Sequence, residues 1–336
     1  MNRVKVVQLG TTHPHASGIF KCMKELPDVF EIMGVAEPSD EHRHNLESEL
    51  YKGTPIWTVA DILKSRDIDA VIVETDEKDS TRYAQSVADA GINIHIDKPG
   101  GSDVGEYEKL VNTAKEKKLV FHTGYMYRFN PAVIKTIELA RSGKIGSIHS
   151  VDAQMCIRLS ENGIRNLARF GGGMMEFLGC HMLDIVLSLL GMPNEVLPMC
   201  YATHTYDTEA LDYGMAVLKY NNASACVRSS AADVNGFIRR QLVVNGSLGS
   251  VEIKPMEIFD SNDTDYLVTD MNVTYDENTN PCFDCSSSES FERYKRYDDM
   301  MTDLAHIING VRENQYSYEH EINLKKLIAM AGQKFI

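Results

Sequence analysis

The stretch Ile94-His95-Ile96-Asp97-Lys98-Pro99-Gly100-Gly101 constrains this chain more than any other. A short apolar strand, 92–96, runs straight into an acid, a lysine, a proline and two glycines. Pro99 has no backbone N–H and holds the residues before it extended, so the strand has to stop there. In an open parallel sheet, ligands bind in the crevice beyond the carboxyl ends of the strands. Lys98 at such an edge, just past apolar residues, is expected where chemistry occurs, with its ammonium partly desolvated. The residues before it read as cofactor machinery and many of those after it as a substrate platform.

Val4-Lys5-Val6-Val7-Gln8-Leu9 reads as a strand, Gly10-Thr11-Thr12-His13-Pro14-His15 as the turn after it, and 16–24 as a helix. Strand, glycine turn and helix in that order suggest a dinucleotide-binding unit, whose backbone N–H groups and helix N-terminus face a pyrophosphate. Of the usual glycines only Gly10 is present, with Thr12 and His15 in the other places, so an ordinary strand–helix turn reads equally well. A second strand, 30–36, ends in Glu37-Pro38. An acid there suits the ribose hydroxyls of NAD and repels the extra phosphate of NADP. The alternative is a plain surface glutamate. A helix at 41–50, a short strand near Ile56-Trp57, a helix at 59–64 and a buried apolar strand at 70–74 follow. Helices at 80–90 and 102–117 then flank the opening strand, and a last strand covers 119–123. Strands alternating with helices specify a doubly wound parallel sheet, assigned to a first domain at 1–123.

From residue 124 the pattern changes. Arg128-Phe129-Asn130-Pro131 leads into a helix at 132–142. Strand-like runs follow at 148–157, 196–204, 213–220, 224–231, 241–244 and 250–253, with Asn221-Asn222 and Asn245-Gly246 as turn signals. Consecutive strands without intervening helices predict a large, mostly antiparallel sheet open on one face. The segment 276–289 reads as a polar, acidic loop, and helices at 291–312 and 318–331 close an α+β domain at 124–336, packing back towards the first. An open sheet face needs a cover, so a homodimer or homotetramer through that sheet is expected.

Composition narrows the classes. The formal net charge is −14 with no basic stripe, which argues against nucleic acid and anionic membrane surfaces as partners. No apolar run reaches transmembrane length, and no leader is visible before the first strand. Seven scattered cysteines fit reduced thiols in a cytoplasmic protein. Cys282 and Cys285 have C-x-x-C spacing but no second pair, and a surface loop is the better reading.

A second constellation runs from Gly171-Gly172-Gly173 through Glu176, Phe177, Gly179, Cys180 and His181 to Asp184, on an apolar helix ending at Gly191. Residues three or four apart share a helix face, so Phe177, His181 and Asp184 line up on roughly one side. The glycines allow a backbone or a ligand to approach closely. Histidine is the usual acid/base near neutral pH; a satisfied core histidine is the alternative. Cys180 points away from His181 and reads as core. Arg158, Arg165 and Arg169 precede the glycines and would bind an acidic substrate or sit in salt bridges. His181 and Asp184 lack further partners for a metal, and none is expected.

Asp97-Lys98-Pro99, followed by the glycine run and Gly179-Cys180-His181-Met182-Leu183-Asp184, resembles the glucose–fructose oxidoreductase/inositol dehydrogenase family (Gfo/Idh/MocA). The segment 124–133 and the paired helical tail resemble it too. The resemblance implies a Rossmann-type domain and a nicotinamide-dependent oxidation or reduction of a sugar, cyclitol or related polyol, with NAD preferred to NADP. It implies that Lys98 binds the reacting hydroxyl and helps remove its proton, and that His181 serves as acid/base and substrate ligand. A cationic nicotinamide beside a buried lysine would lower the lysine pKa. Cofactor contacts are implied for Gly10, Thr11, Thr12, His13, His15, Glu37, Thr75, Asp97 and Lys98. Substrate contacts are implied for Lys98, Tyr127, Arg128, Arg169 and His181.

Three departures stand out. Phe177 occupies the place of the family's usual aspartate, so Asp184 is assigned to orient His181. His13 and His15 stand in the fingerprint, where they contact cofactor or substrate or cap the helix. Thr75-Asp76-Glu77 replaces the common Thr-Pro-Asn, adding two acids near the nicotinamide end. Two other functions stay open: an NAD-dependent glycosidase of similar fold, and a sugar- or NAD-sensing regulator without catalysis.

Overall fold

Val4, Val6, Val7 and Leu9 are all buried, as a parallel strand covered on both faces requires. They form β1 (Val4–Leu9) in a computed structural model that describes residues 2–276 and 285–333. In chain order there follow α1 (Ala16–Glu25), β2 (Phe30–Ala36), α2 (Val59–Lys64), β3 (Ala70–Val73), α3 (Glu77–Asp89), β4 (Asn93–Ile96), α4 (Val104–Glu116) and β5 (Phe121–Thr123). The five strands pair in parallel in the order β2-β1-β3-β4-β5. Val71, Val73, Ile94 and Ile96 from the sheet pack with Ala84, Val87 and Leu110 from α3 and α4. Strand order reverses between β1 and β3, so the ligand crevice of such a sheet lies beyond their carboxyl ends.

The next elements are α5 (Pro131–Arg141), β6 (Ile148–Cys156), α6 (Glu161–Asn166) and α7 (Cys180–Leu190). Strands β7 (Glu195–Tyr201), β8 (Tyr213–Lys219), β9 (Ser224–Ser230), β10 (Gln241–Gly246) and β11 (Gly249–Ile253) follow. A small pair, β12 (Ile258–Phe259) and β13 (Leu267–Val268), precedes β14 (Asp270–Tyr275) and β15 (Cys285–Ser290). Eight of these strands form one sheet, β15-β14-β11-β10-β6-β9-β8-β7, in which only β6 and β9 run parallel. One face is apolar and buried, with Val151, Ala153, Ala216, Leu218, Val227, Leu242 and Val251 on it. The other face exposes Leu197, Met199 and Tyr201 of β7, opposite Val217, Met215 and Tyr213 of β8.

The chain ends with α8 (Asp298–Ile308) and α9 (Tyr318–Ala331). By compactness, residues 1–126 and 297–325 make one unit, and 127–296 with 326–336 make the other. The tail helix α8 therefore belongs with the parallel sheet.

Several expected elements differ. Residues 41–50 form no α-helix; Asp40–Glu47 is a 3₁₀ helix, in keeping with a sequence whose only buried side chain is Leu46. Ile56 makes a single bridge to Val35, not a strand. The helix expected over 291–312 spans only α8, because Tyr294 bridges back to Leu267. Residues 286–289, read as loop, belong to β15, which pairs with β14 as an exposed edge strand. With serines and a glutamate on both faces it carries no apolar alternation to betray it. Cys282 of the C-x-x-C pair lies outside the described residues.

Candidate functional site

Gly10 closes β1 with φ +99°, and its N–H donates to Ala36 O at 2.7 Å. A Cβ here would stand 2.5 Å from Thr75 N, so only glycine lets the turn pass this close to the end of β3. The amides expected to face a pyrophosphate donate to residues just past β2 and β3. Thr11 N–H and its hydroxyl donate to Glu37 Oε2 at 2.8 and 2.6 Å, and the N–H groups of Thr12 and His13 donate to Glu74 O at 3.2 and 3.0 Å. Glu37 is buried and also accepts the Ser39 N–H, which corrects the surface-glutamate alternative and makes it the clamp of this turn.

The end of β4 is held as firmly. Asp97 Oδ1 accepts the Lys98 N–H at 2.6 Å, and both Asp97 oxygens lie 3.0–3.1 Å from His15 Nδ1. Gly124 leaves room for that carboxylate, since a Cβ would come within 2.6 Å of Oδ1. The Lys98–Pro99 peptide is cis. Thr81 donates to Gly100 O at 2.7 Å, the Gly101 N–H reaches Glu77 Oε2 at 3.1 Å, and Lys325 Nζ donates to Pro99 O and Gly101 O. Lys98 itself is 2% exposed. Backbone contacts on every side of it fix where its amine starts.

His13 links the two strand ends. Its Nδ1 lies 3.3 Å from Glu74 Oε2 and 3.5 Å from Asp97 Oδ2; its Nε2 lies 3.2 Å from Glu77 Oε1 and 3.2 Å from Lys98 O. Burial works against charging this ring, but Asp97, Glu74 and Glu77 together hold its pKa well above the usual value. Burial and the Asp97 charge push Glu74 up to about 8. Burial alone would raise Asp97, yet His13, His15 and Lys98 keep its carboxyl well below the usual range. Burial lowers His15 to about 4. Beneath them His95 and His122 meet through their Nδ1 atoms at 2.7 Å, and His122 Nε2 stands 3.6 Å from Asp303. Glu74, Glu77, His95, His122 and Asp303 were not among the expected site residues. Glu77 had a signal as one of the two acids added after Thr75, and Glu74 and His95 as polar residues breaking apolar strands.

In the other unit Tyr127 and Arg128 sit on a 3₁₀ turn, Met126–Phe129, stopped by Asn130, whose Oδ1 caps α5. Tyr127 donates to Glu257 Oε1 at 2.6 Å and accepts from Arg240 Nη1 at 2.8 Å; Tyr294 and Arg296 also reach Glu257. Burial and the Glu257 charge push the Tyr127 hydroxyl up despite Arg240. Its ring meets His181 edge-on at 4.9 Å, and His181 is 1% exposed. Arg128 and Asp184, expected as a substrate contact and as the acid orienting His181, face each other: the guanidinium holds the carboxylate by two 2.8 Å bonds, a buried ion pair. Arg169 is exposed and lies over the Phe170 ring, and Arg165 pairs with Glu161. The glycine run admits backbone: Gly172 packs on Gly332, and Gly173 on Leu211. Residues Met175–Gly179 form a π-helical turn ahead of α7. Phe177 there packs on Phe170 at 5.1 Å, and Glu176 Oε2 accepts the Gly172 N–H at 2.9 Å.

A parallel sheet with a glycine turn at its switch point and a buried lysine at the end of β4 defines a nucleotide-binding α/β protein. Residues 7–125 match the oxidoreductase family with an NAD-binding Rossmann fold, and residues 133–252 match the GFO/IDH/MocA C-terminal domain. The chain belongs to the Gfo/Idh/MocA family of oxidoreductases. A dTDP-3,4-didehydro-2,6-dideoxy-alpha-D-glucose 3-reductase of Actinomadura kijaniata is 26% identical over 172 residues, 51% of this chain and 52% of that protein. A 2,7-anhydro-N-acetylneuraminate hydratase of Mediterraneibacter gnavus is 29% identical over 173 residues, 49% of this chain and 44% of that protein. The chain thus spans about half the length of these relatives. The solved aldose-aldose oxidoreductase of Caulobacter crescentus shares the fold at a TM-score of 0.79, with 20% identity and 98% of each chain covered. Among the described residues no helix is long and apolar enough to cross a membrane.

The residues present fit a dinucleotide. A cavity beyond β1, β2 and β3 is lined by Thr12, Glu37, Ser39, His42, Thr75 and Asp76, among others. The Thr75 hydroxyl, buried in its wall, has no hydrogen-bond partner. Glu41, Asp76 and Asp79 add negative charge there, which disfavours a 2′-phosphate.

Proposed function

We propose that this protein is a nicotinamide-dependent oxidoreductase acting on a hydroxyl or keto carbon of a sugar, cyclitol or related polyol, with NAD preferred to NADP. The observation that carries the reading is Lys98, buried at the carboxyl end of β4 with its backbone fixed from both sides. When bound, the nicotinamide ring supplies the two-electron acceptor or donor. Lys98 then binds the reacting hydroxyl and takes its proton as the alcohol carbon becomes a carbonyl, or returns it in reduction. His181 is assigned to the same acid/base work and to substrate binding. Glu37 and Thr75 hold the cofactor at its ribose end, and Thr11, Thr12 and Gly10 shape the turn beside it. Self-association through the face carrying Leu197, Met199 and Tyr201 completes the reading, and light scattering of the purified protein tests it.

The experiment is NADH absorbance on mixing protein with NAD or NADP and a panel of cyclitols, aldoses and sugar acids, with Lys98→Ala alongside. Turnover with NAD that falls by about 10²–10⁴ in the folded variant supports the reading. Substrate consumed without net NADH, as the hydratase relative's name invites, would replace it with a reaction in which oxidation is transient. Product analysis by mass spectrometry separates the two.

A further inference from the structure

Beyond β4 the consecutive carbonyls of Lys98, Pro99, Gly100 and Gly101 are each met by a side chain distant in sequence. Lys98 O lies 3.2 Å from His13 Nε2, and Gly100 O accepts from Thr81 at 2.7 Å. Pro99 O and Gly101 O both accept from Lys325 Nζ, the first at 2.9 Å. We propose that Lys325, 226 positions beyond Pro99, is a positioning residue whose ammonium sets where the Lys98 amine stands in the site. This rests on the reading of Lys98 as acid/base and adds to that site a residue of the last helix, α9.

The loop after Lys98 is poorly able to hold itself. Gly100 and Gly101 have φ of +76° and +92°, values that glycine reaches readily but at the largest loss of backbone freedom. Pro99 beside them has no N–H to offer a neighbouring strand. Bonds that fix such a segment have to come from outside it, and a cation gives stronger ones than a neutral donor. His13 and Thr81 each meet one carbonyl of the four, whereas Lys325 takes two, one residue apart, and so fixes the curvature of the loop and not a single point on it. Lys325, Pro99, Gly101 and Tyr107 all belong to the unit that contains the parallel sheet.

Packing alone does not explain a lysine here. The residue is 3% exposed, and its Nζ lies 5.2 Å from the centre of the Tyr107 ring. That ring also covers Gly100, where an added Cβ would come within 2.6 Å of it. Burying an ammonium costs solvation, and a methionine or leucine would fill the same space on α9 without that cost. The ammonium contributes the geometry of the loop, and the loop carries that geometry to Lys98. On one side the Lys98 N–H is tied to Asp97 Oδ1 at 2.6 Å; on the other stands Pro99, whose ring fixes its φ and whose carbonyl Lys325 holds. A shift at Pro99 therefore moves the Lys98 backbone, and misplacing a reacting group by about 1 Å costs about 10² in rate.

The test is Lys325→Met in the full chain, which keeps the stem and removes the ammonium, assayed with NAD and a panel substrate that the wild type turns over. Per NAD-binding site, kcat should fall by about 10², while KM and the Kd for NAD move by less than about threefold. In a Lys98→Ala background the same change should cost less than about twofold, because nothing is left to position. A role in folding alone would cost the same factor in both backgrounds, and that outcome overturns the proposal. So does a kcat within about threefold of wild type. Hydrogen exchange read by mass spectrometry is the second arm. The amides of Lys98, Gly100 and Gly101 should exchange at least about tenfold faster in Lys325→Met, with β3 and β4 as protected as before. If the wild type shows no Lys98-dependent turnover, the acid/base reading has failed, and exchange decides the clamp by itself: unchanged protection at these amides overturns it. Should Lys325→Met not fold, Lys325→Gln takes its place in both arms under the same criteria.

Discussion

Arg128 meets Asp184 in two charge-assisted hydrogen bonds, Nε to Oδ2 and Nη2 to Oδ1, each 2.8 Å, with the side chains 4% and 2% exposed. Such a pair is weak evidence of net stability, but breaking it strands a buried charge. Asp184→Ala should therefore cost about 3–5 kcal/mol in urea unfolding, while the paired replacement Arg128→Met with Asp184→Leu should cost far less. A single substitution within about 0.5 kcal/mol of wild type would show the guanidinium finding other solvation.

Gly10→Ala should be among the most damaging small substitutions in the chain. Its φ is +99°, and the added Cβ would lie 2.5 Å from Thr75 N and 2.6 Å from Glu74 C, both backbone atoms that cannot step aside. A loss of about 3 kcal/mol or more is expected. Gly143→Ala is the control: φ is +73° with nothing within 4 Å of the added atom, so only the left-handed penalty of about 1–2 kcal/mol applies. Equal Tm losses in the two would refute the close approach at Gly10.

The sequence disclosed the parallel sheet because its strands are continuously apolar runs between amphipathic helices, and the last β4 residues announced Lys98. Roles within the site were less legible. Glu37 was placed correctly at the end of β2, yet its bonds to Thr11 and Ser39 depend on how the turn folds back, which spacing does not encode. Arg128 and Asp184 are 56 positions apart, and only packing brings them together. Glu74 at the end of β3 and His95 on neighbouring β4 break an apolar pattern, and that break, with the acids after Thr75, hinted at the buried cluster.

Glu37 should also set cofactor preference. Its carboxylate lines the cavity beyond β1 and β2 together with Glu41, Asp76 and Asp79. Glu37→Gln removes the charge that opposes a 2′-phosphate, and its oxygen can still accept the Thr11 bonds while the Ser39 N–H loses its acceptor. Preference for NAD over NADP, as the ratio of kcat/KM values, should then fall by about tenfold or more, equivalent to about 1.4 kcal/mol. An unchanged ratio would place the ribose elsewhere and leave Glu37 with its structural role alone.

Thiol reactivity offers a check on burial that is independent of catalysis. Burial pushes Cys156 and Cys200 up from an ordinary 9.0 to about 11. The thiolate is the reactive form, so at pH 8 only about a thousandth of either is primed for alkylation. Mass-spectrometric mapping after iodoacetamide should find both cysteines unlabelled in the folded protein and labelled in urea. Linkage gives the sign for stability: between pH 9 and 11 the unfolded chain releases these protons first, so stability falls as pH rises through that window and is unaffected by them below it. Rapid labelling of Cys156 at pH 8 under native conditions would mean that β6 opens far more readily than its buried, doubly paired position in the sheet allows.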